Sequence, residues 1–471
     1  MPNLKDQKVG ILGLGDENIA LVKFLVRLGA KVVIADQKTK EELGEYYHQV
    51  KDLPVQFRLG PHYLDHLEDF ETLFRTPGLP FFHPKIQAAK KSGVEISSQT
   101  KLFFELCPCP IIGVTGTKGK GTTVTLISEI LKRKLEMRNG KCENSSTSHI
   151  SHLTSHIFLG GNIGNPPIDF LEKLTPQDIV VLELSSFQLQ DLDKSPHISV
   201  ILDIKVDHLD YHRDEAEYIE AKRNIVRFQL KDDFAIINAD YLTSIEFATL
   251  TPAKIYWFSR RKSIDEGVWL SPQKEIILRI NDKDIPIAKT SAVLLRGEHN
   301  LENISAAILA SYLAGADISS IQKVVKDFKG LEHRLEFVKS FQGIHFYNDS
   351  FSTTPDTTIA AIRSFKEPII LLCGGSEKNA DYKNLGEVIS QSSVKTLISI
   401  GKTGAKIIAE VKNPQIKKIA DTKTMAKAVD LAISLAKEDD VILLSPASAS
   451  FDNFKNYQDR GEIFKKKVVN L

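Results

Sequence analysis

Short apolar runs alternate along the chain with longer segments in which apolar residues recur every three or four positions. Near the N-terminus, KVGIL and KVVIAD enclose the segment NIALVKFLVRLGA, and the same alternation returns several times further on. Continuous apolar runs of this length predict buried strands, whereas a spacing of three and four predicts amphipathic helices. Since strands that alternate with helices build parallel sheets, the pattern predicts an α/β protein.

A glycine-rich turn interrupts this pattern in the segment 111–123, IIGVTGTKGKGTT. It follows an apolar run that predicts a strand, and it precedes the helical pattern TTVTLISEILKRK, which begins at Thr122. Glycines allow several backbone N–H groups to point at one phosphate group, and the helix N-terminus and Lys120 add positive charge. The turn therefore predicts a binding site for a nucleoside triphosphate.

The spacing of this turn differs from the common phosphate loop, G-x-x-x-x-G-K-[ST]. Val114 stands where that motif has its first glycine, and Gly121 stands where it has the hydroxyl residue. Thr122 and Thr123 are then the candidates for the hydroxyl that faces Mg²⁺ in the common motif.

The strand–helix alternation divides into three blocks, and a chain of 471 residues is long enough for about three domains. Two prolines in the segment 107–110 follow the first block, and the third block begins near Glu332. We predict a Rossmann-like domain at 1–108, a central P-loop ATPase domain with a mainly parallel sheet at 109–331, and a Rossmann-like domain at 332–471.

Composition narrows the class of protein. The chain has 61 lysines and arginines against 60 aspartates and glutamates, which gives no electrostatic argument for binding nucleic acid or a membrane surface. Its 4 cysteines are too few and too scattered for a disulfide scaffold, and Cys107-Pro108-Cys109 lacks the second pair of a zinc site. No apolar stretch approaches the ~18 residues of a membrane span. We expect a cytoplasmic enzyme without a nucleic-acid partner or membrane insertion.

The first block opens like a nucleotide-binding βαβ unit. Gly13 and Gly15 supply two of the three glycines of the dinucleotide fingerprint, Asn18 stands in the third place, and Asp36 follows about 20 residues later. The incomplete fingerprint favours a nucleotide-handling βαβ unit over a dinucleotide site.

Polar residues follow two strands of the central block. IVVLEL is followed by Ser185 and Gln188, and its Glu183 would hold Mg²⁺ beside a triphosphate. His208 follows the next apolar run, where a lone histidine is more often structural than catalytic, and Lys222 lies in the helical stretch after it. Three histidines within 149–156 fall in a polar segment without periodicity, which favours a loop over a metal site.

The motifs together resemble the Mur ligase family. GVTGTKGKGTT, GGNIG, ELSSFQL, DHLDYH, EAK, GEHNLEN, HRLE, NDS and SPASASFDNF occur in the family's order between about Val9 and Phe464. The resemblance implies an ATP-dependent, ADP-forming ligase of peptidoglycan precursor synthesis. It implies addition of D-glutamate to UDP-N-acetylmuramoyl-L-alanine through an acyl phosphate, by a monomer. We expect the domains to close around the substrates, because the ATP loop and the amino-acid site lie in different blocks.

The resemblance also implies the catalytic and nucleotide-binding residues. The ATP phosphates would lie on the loop formed by Thr115, Gly116, Thr117, Lys118, Gly119, Lys120, Gly121 and Thr122. The adenine nucleotide would also contact Asn300, Asn303, Arg334 and Asp349. Two Mg²⁺ ions would be held by Thr122, Glu183, His208 and Lys222, the last as a CO₂-derived carbamate. Lys120, Glu183, His208 and Lys222 form the implied catalytic set.

The implied substrate contacts lie in all three blocks. The UDP moiety would meet Asp36 and Gln37, and the central block would contribute Asn162, Ser185 and Gln188. The dicarboxylic amino acid would meet the hydroxyl and ammonium groups of Thr353, Lys378 and Ser450. The turn 75–78 matches either the family's sugar-binding turn or a plain Pro-Gly turn.

Phe351 departs from the family, which usually has a lysine after Asn-Asp-Ser. Because this positive charge is missing, L-glutamate is an alternative to D-glutamate as the added amino acid. A folylpolyglutamate synthase-like ligase is a second alternative, because that family shares the K-G-[ST] form of the loop, although its ATPase sequence begins almost at the N-terminus. A third alternative is a nucleotide-dependent switch without ligase activity. In such a protein, Glu183, His208 and Lys222 would have only structural roles.

Overall fold

The structure is a computed structural model that describes residues 4–142, 155–205, 211–377, 380–420, 422–451 and 454–471. It contains three sheets and two compact units. Unit one comprises Met1–Ile287 and Glu302–Val324, and unit two comprises Ala288–Leu301 and Val325–Leu471.

The first sheet of unit one has five parallel strands. These are β1 (Lys8–Leu12), β2 (Lys31–Asp36), β3 (Gln56–Leu59), β4 (Thr72–Arg75) and β5 (Glu95–Ser97). Their order is β3-β2-β1-β4-β5, a doubly wound arrangement that starts at β1. The accompanying helices are α1 (Asp16–Arg27), α2 (Lys40–Leu43), α3 (Glu45–His48), α4 (Pro84–Lys91) and α5 (Gln99–Leu106).

The second sheet of unit one has nine strands. These are β6 (Ile111–Thr115), β7 (Ile157–Gly161), β8 (Ile179–Glu183), β9 (Ile198–Ile201), β10 (Phe234–Asn238), β11 (Lys254–Ser259), β12 (Gly267–Leu270), β13 (Glu275–Ile280) and β14 (Lys283–Lys289). Their order is β14-β13-β12-β11-β10-β9-β6-β8-β7, with parallel pairing from β7 as far as β12 and an antiparallel β12–β13 pair.

The helices that follow in the chain begin with the one after the glycine-rich turn. They are α6 (Lys120–Cys142), α7 (Ser186–Leu189), α8 (Glu215–Arg227), α9 (Leu242–Ile245), α10 (Glu298–Leu313) and α11 (Ile318–Asp327). One apolar core extends from α1 and α5 of the first sheet to β8 of the second. Phe103 of α5 and Phe170 meet edge to face there, with ring centroids 5.7 Å apart, so the two sheets of unit one share buried surface.

Unit two contains the third sheet. Its strands are β15 (Glu336–Phe341), β16 (Ile344–Asn348), β17 (Ile369–Cys373), β18 (Val394–Ser399), β19 (Lys417–Ile419) and β20 (Val441–Leu444). Their order is β15-β16-β20-β17-β18-β19, and β15 is the antiparallel edge strand. The remaining helices are α12 (Pro355–Ile362), α13 (Lys383–Gln391), α14 (Gly404–Glu410), α15 (Met425–Leu435) and α16 (Tyr457–Val469).

Apolar residues cover both faces of this third sheet, as its continuous apolar strands require. Ile369 and Leu371 pack into the core on one face, whereas Ile370 and Leu372 pack into the core on the other. The predicted α/β class, with three mainly parallel sheets, is confirmed. The domain boundaries at 108 and 331 stay a prediction. Among the described residues, no helix is both long and apolar enough to cross a bilayer.

Candidate active site

Four neighbouring strands of the second sheet end at one edge. Glu183 at the end of β8 lies in register with Val114 of β6 on one side and with Gly161 of β7 on the other. Thr115, the last residue of β6, pairs with Ile201 of β9. Because parallel strands end on the same side, the glycine-rich turn, Glu183 and the segments after β7 and β9 meet there. This is the edge at which α/β sheets bind ligands.

The glycine-rich turn wraps around the side chain of Lys120. The Lys120 Nζ donates to the carbonyl oxygens of Gly116 at 3.1 Å and Thr117 at 3.2 Å. Gly119 has a φ of +87°, and a Cβ at this position would lie 2.2 Å from the Oδ1 of Asn303. Helix α6 begins at Lys120, so its first N–H groups and its positive dipole end face the turn. The turn therefore has the donors and the charge for a polyphosphate.

Thr117 anchors the turn to the segment after β9. Its hydroxyl donates to the carbonyl oxygen of Lys205 at 2.9 Å and accepts from the Lys205 N–H at 2.8 Å. The Tyr218 hydroxyl lies 3.0 Å from the same oxygen. No sequence motif indicated a role for Tyr218, whose contact with the turn is visible only in the structure. The predicted residue His208 lies outside the described residues.

Lys222 lies at the base of the turn. Asp214 caps the N-terminus of α8, and the helix presents Lys222 to the sheet with only 1% of the residue exposed. Its Nζ donates to Thr115 Oγ1 at 3.3 Å and to the Gly116 carbonyl at 3.2 Å, and it lies 4.8 Å from the centre of the Tyr218 ring. A buried lysine nitrogen thus contacts the start of the predicted phosphate loop.

Glu183 and Asn162 form a second pair at this edge. The Asn162 side-chain amide donates to Glu183 Oε1 at 3.0 Å, and its backbone N–H donates to the Glu183 carbonyl at 2.9 Å. Gly161 permits this approach, because a Cβ there would lie 2.2 Å from the Glu183 carbonyl oxygen. The amide fixes a carboxylate that is 7% exposed, as a metal ligand requires.

The two candidate threonines differ in their hydroxyl groups. The Thr123 hydroxyl is buried and donates to the Gly119 carbonyl at 3.0 Å. Thr122 is half-buried in the first turn of α6. Since the proton of Thr123 is committed to the backbone, Thr122 is the better candidate for a hydroxyl that faces a cation.

Ser185 and Gln188 have structural partners. They form the capping box of α7, in which the Gln188 N–H donates to the Ser185 hydroxyl at 3.3 Å and the Ser185 N–H donates to Gln188 Oε1 at 3.1 Å. The Gln188 amide also donates to Glu17 Oε1 at 2.8 Å, which joins this helix to the first sheet. Burial raises the pKa of Glu17.

Asp36 braces the turn after β1. One carboxylate oxygen accepts from the Leu14 N–H at 2.7 Å and the other accepts from the Lys38 N–H at 2.9 Å. Asn18, in the third fingerprint position, donates to the Gly13 carbonyl at 2.6 Å. These contacts shape a nucleotide-type turn, and the predicted neighbour Gln37 is exposed beside it.

Unit two brings Arg334 and Asp349 together. Asp349 is 5% exposed and accepts from the Leu335 N–H at 3.1 Å and from the Ser445 hydroxyl at 2.7 Å. Burial raises the pKa of its carboxyl group to about 6. Arg334, the residue before Leu335, has its guanidinium carbon 3.7 Å from the centre of the Phe351 ring.

Three further predicted residues lie elsewhere in unit two. Asn300 donates to the Arg296 carbonyl at 2.6 Å near the start of α10. Thr353 is half-buried just before α12, and Ser450 is 2% exposed after β20. Lys378 lies outside the described residues.

Arg75, in the turn that was assigned either a sugar contact or no ligand, is a buried structural residue. Its guanidinium forms an ion pair with Asp191 at 3.1 Å and donates to the Tyr211 hydroxyl at 2.9 Å. In the sequence, the feature that could have indicated this structural role is a single arginine at the end of an apolar strand.

The other candidate metal ligands are separate from this edge. His156 contacts Asp178, with its Nδ1 3.2 Å from Asp178 Oδ1, whereas His149 and His152 lie outside the described residues. The thiols of Cys107 and Cys109 are 3.7 Å apart. Within the described ranges, no three histidine, cysteine, aspartate or glutamate residues cluster as a metal site would require.

The sequence matches three family descriptions that together follow the order of the sheets. Residues 7–98 match "Mur ligase MurD-like, N-terminal domain", residues 114–311 match "Mur ligase middle domain", and residues 333–448 match "Mur ligase, glutamate ligase domain". The UDP-N-acetylmuramoylalanine–D-glutamate ligase of Acetivibrio thermocellus is 39% identical, covering 99% of this chain and 97% of its own. The chain belongs to the Mur ligase family.

A second ligase of the same name, from Symbiobacterium thermophilum, is also 39% identical, covering 99% of this chain and 98% of its own. Among solved structures, the UDP-N-acetylmuramate–alanine ligase of Thermotoga maritima aligns with a TM-score of 0.54 at 18% identity, covering 98% of this chain and 99% of that one. A MurF from Acinetobacter baumannii aligns with a TM-score of 0.56 at 17% identity, covering 93% and 91%. These structures share the Mur ligase fold.

Proposed function

We propose that this Mur ligase adds D-glutamate to UDP-N-acetylmuramoyl-L-alanine and cleaves ATP to ADP and phosphate. The observation that carries the proposal is the buried Lys222 nitrogen, 3.2 Å from the Gly116 carbonyl of the phosphate loop, on the sheet edge that also holds Glu183. Full-length relatives named for this reaction support the choice of D-glutamate. We further propose that the enzyme is a cytoplasmic monomer.

The first chemical step uses the phosphate loop. The loop N–H groups and Lys120 bind the triphosphate, for which Lys120 exchanges its carbonyl partners for phosphate oxygens. A carboxylate oxygen of the L-alanyl substrate attacks the γ-phosphorus, the bond to the β-phosphate oxygen breaks, and ADP leaves. The product of this step is an acyl phosphate, and the protein contributes mainly alignment and charge.

The second step forms the amide. The glutamate amine attacks the acyl carbon, the tetrahedral intermediate loses inorganic phosphate, and the amine nitrogen gives up a proton. Neither chemical step requires a covalent nucleophile from the protein. Thr353, Ser450 and Lys378 are proposed to bind the two carboxylates of glutamate, since hydroxyl and ammonium donors suit them.

The donor set at the sheet edge fits Mg²⁺, which prefers oxygen ligands. Thr122, Glu183 and a carbamate on Lys222, together with His208, are the proposed ligands of two ions. Bound Mg²⁺ would neutralise the phosphate oxygens during transfer. Carbamylation would turn the cationic Lys222 into an anionic oxygen ligand, and the nearby Thr115 hydroxyl and Tyr218 ring give this buried group defined neighbours.

The proposed nucleotide contacts outside the phosphate loop are Asn300, Asn303, Arg334 and Asp349. Asn303 is supported by its position against Gly119 of the phosphate loop. The assignments of Arg334 and Asp349 to one site are supported by their proximity. Arg334 precedes Leu335, and the Asp349 carboxylate accepts from the Leu335 N–H. Asp36 and Gln37 are proposed to meet the UDP moiety next to the turn after β1.

Substrate-dependent phosphate release tests this function. The enzyme is incubated with ATP, Mg²⁺ and UDP-N-acetylmuramoyl-L-alanine, with D-glutamate or L-glutamate added in turn, and a tetrahydrofolate with L-glutamate serves as the alternative substrate pair. We expect release that depends on D-glutamate. Release only with L-glutamate would support the opposite stereochemistry, and release only with the folate would support the folylpolyglutamate synthase-like alternative. No stimulation by either enantiomer contradicts the proposal.

The proposed carbamate has its own prediction. Lys222→Ala should lower kcat by at least ~100-fold, the scale of losing a group that stabilises transition-state charge. Short carboxylic acids should restore part of the activity, because they can supply the missing oxygen ligands. Lys132→Ala, which removes an exposed lysine of α6 paired with Glu129, is the matched control and should keep full activity. Full activity of the unrescued Lys222→Ala variant would exclude the role.

A further inference from the structure

Phe351 occupies the position at which the family resemblance places a lysine. Its ring contacts the side chains of Tyr457 and Arg334. Tyr457 packs against it edge to face, with ring centroids 5.1 Å apart and an interplanar angle of 89°. The Phe351 N–H donates to the His333 carbonyl at 2.9 Å. Ser350, the preceding residue, donates its hydroxyl proton to the Tyr457 carbonyl at 2.8 Å. The hydrogen bonds thus fix the backbone at Phe351, and Tyr457 is a packing neighbour of its ring.

The guanidinium group of Arg334 lies over this ring. Its central carbon is 3.7 Å from the ring centroid, which is the shortest cation–ring distance among the described residues. A planar guanidinium at this separation is in stacking contact, through which an aromatic ring attracts a cation. Stacking engages the face of the guanidinium, whereas its N–H groups lie in the plane of the group and donate at its edge.

We propose that Phe351 is a positioning residue for nucleotide binding: its ring fixes the orientation of the Arg334 guanidinium that contacts the adenine nucleotide. The inference rests on the proposed function, in which Arg334 contacts the nucleotide. A lysine at position 351 would add a second positive charge, whereas the phenylalanine preorganises the charge that Arg334 already supplies. Fewer side-chain rotamers are then lost when the nucleotide binds.

A purely structural role for Phe351 predicts different effects of its substitution on stability and on nucleotide binding. If the ring only fills space against Tyr457, its loss would lower stability and would affect nucleotide binding equally whether or not residue 334 is an arginine. If the ring orients Arg334, its loss would matter only while the guanidinium is present. A double-mutant cycle separates the two roles, because it measures the coupling between the two side chains.

The test uses the full chain with Phe351→Leu, Phe351→Trp, Arg334→Met and the double variant Phe351→Leu/Arg334→Met. Binding of Mg-ADP is measured by calorimetry, KM for ATP and kcat come from steady-state kinetics, and thermal unfolding checks stability. We expect Phe351→Leu to raise the Kd of Mg-ADP and the KM for ATP by roughly 2- to 5-fold, the range of an exposed cation–ring contact. The kcat should stay nearly unchanged, and Phe351→Trp should retain wild-type binding.

The double-mutant cycle distinguishes the positioning role of Phe351 from a purely structural one. In the Arg334→Met background, Phe351→Leu should cause no further loss of Mg-ADP affinity. An equal loss in both backgrounds, or no loss in the wild-type background, would overturn the positioning role while leaving the proposed function intact. Unchanged binding in Arg334→Met alone would instead contradict the assignment of Arg334 to the nucleotide, and the positioning role would fall with it.

Discussion

At the scale of single residues, Asp349 shows burial and hydrogen bonding acting in opposite directions on one carboxyl group. Hydrogen bonds from Ser352, Ser445 and the Leu335 backbone stabilise its charged form, and so does the nearby charge of Arg334. Burial is the larger effect, and it raises the pKa from an ordinary value of 3.8 to about 6. The group therefore carries a stability cost at neutral pH, as sites built for binding often do.

This cost predicts a pH dependence of stability. Between the ordinary pKa of 3.8 and the folded pKa of about 6, the folded protein binds a proton that the unfolded chain does not. The favourable contribution is complete below 3.8 and is lost as the pH rises through 6. Asp349→Asn removes the titration, so its free energy of unfolding relative to wild type should improve by about 2–3 kcal/mol between pH 4 and pH 7.

Urea unfolding at pH 4 and pH 7 measures this difference. Asp356→Asn, at an exposed aspartate of α12, serves as the control and should show a constant difference from wild type. A constant difference for Asp349→Asn as well would mean that the buried carboxyl does not bind its proton more tightly in the folded state.

The residues near the phosphate loop could be nominated from the sequence, but their partners could not. Lys222 was singled out by its motif, whereas its contacts with Thr115 and Gly116 cross more than 100 positions of the chain. Such contacts follow from which strands are neighbours, which no local pattern encodes. The stacking of Arg334 on Phe351 is similar, since the sequence showed only that a lysine was replaced.

At the scale of elements, strongly apolar strands were predicted well and helix boundaries less well. β1, β2, β6 and β8 lie where continuous apolar runs indicated them. The helix after the phosphate loop was predicted from Thr122 and begins at Lys120. Its first turn contains glycine and no apolar spacing, and the first helical bond is made from the Thr123 N–H to the Gly119 carbonyl. The geometry of the loop, rather than helix propensity, starts this helix.

Arg75 connects elements that belong to different sheets of unit one. It ends β4, and it donates to the Leu79 carbonyl at 2.7 Å, to the Phe187 carbonyl of α7 at 3.1 Å and to Asp191. The side chains of Arg75 and Asp191 are 0% and 2% exposed. Removing one partner of such a pair leaves a buried charge without compensation.

We therefore expect Arg75→Met to lower the free energy of unfolding by about 3–5 kcal/mol. The matched control is Arg27→Met, because Arg27 pairs with Glu172 at 3.2 Å while both side chains are about half exposed. That variant should lose only ~0–1 kcal/mol. Denaturant unfolding at neutral pH compares the two, and equally small losses would show that the buried pair does not hold these elements together.

At the scale of the whole molecule, the three strand–helix blocks of the sequence correspond to three sheets, but the structure groups them into two compact units. The core that joins the first two sheets explains why one unit contains both. It depends on contacts such as Phe103 with Phe170, which lie far apart in the sequence. Periodicity therefore predicts the sheets themselves, whereas the packing of one sheet against another requires the tertiary structure.

Oxygen transfer from the substrate carboxylate to phosphate tests the proposed reaction most directly. UDP-N-acetylmuramoyl-L-alanine carrying ¹⁸O in both oxygens of its alanyl carboxylate is incubated with the enzyme, ATP, Mg²⁺ and D-glutamate, and the phosphate is analysed by mass spectrometry. Because the carboxylate accepts the γ-phosphoryl group and the amine later displaces phosphate, each released phosphate should contain one ¹⁸O, and the amide product should keep the other. Phosphate without ¹⁸O, or no turnover that depends on D-glutamate, would contradict the proposed reaction.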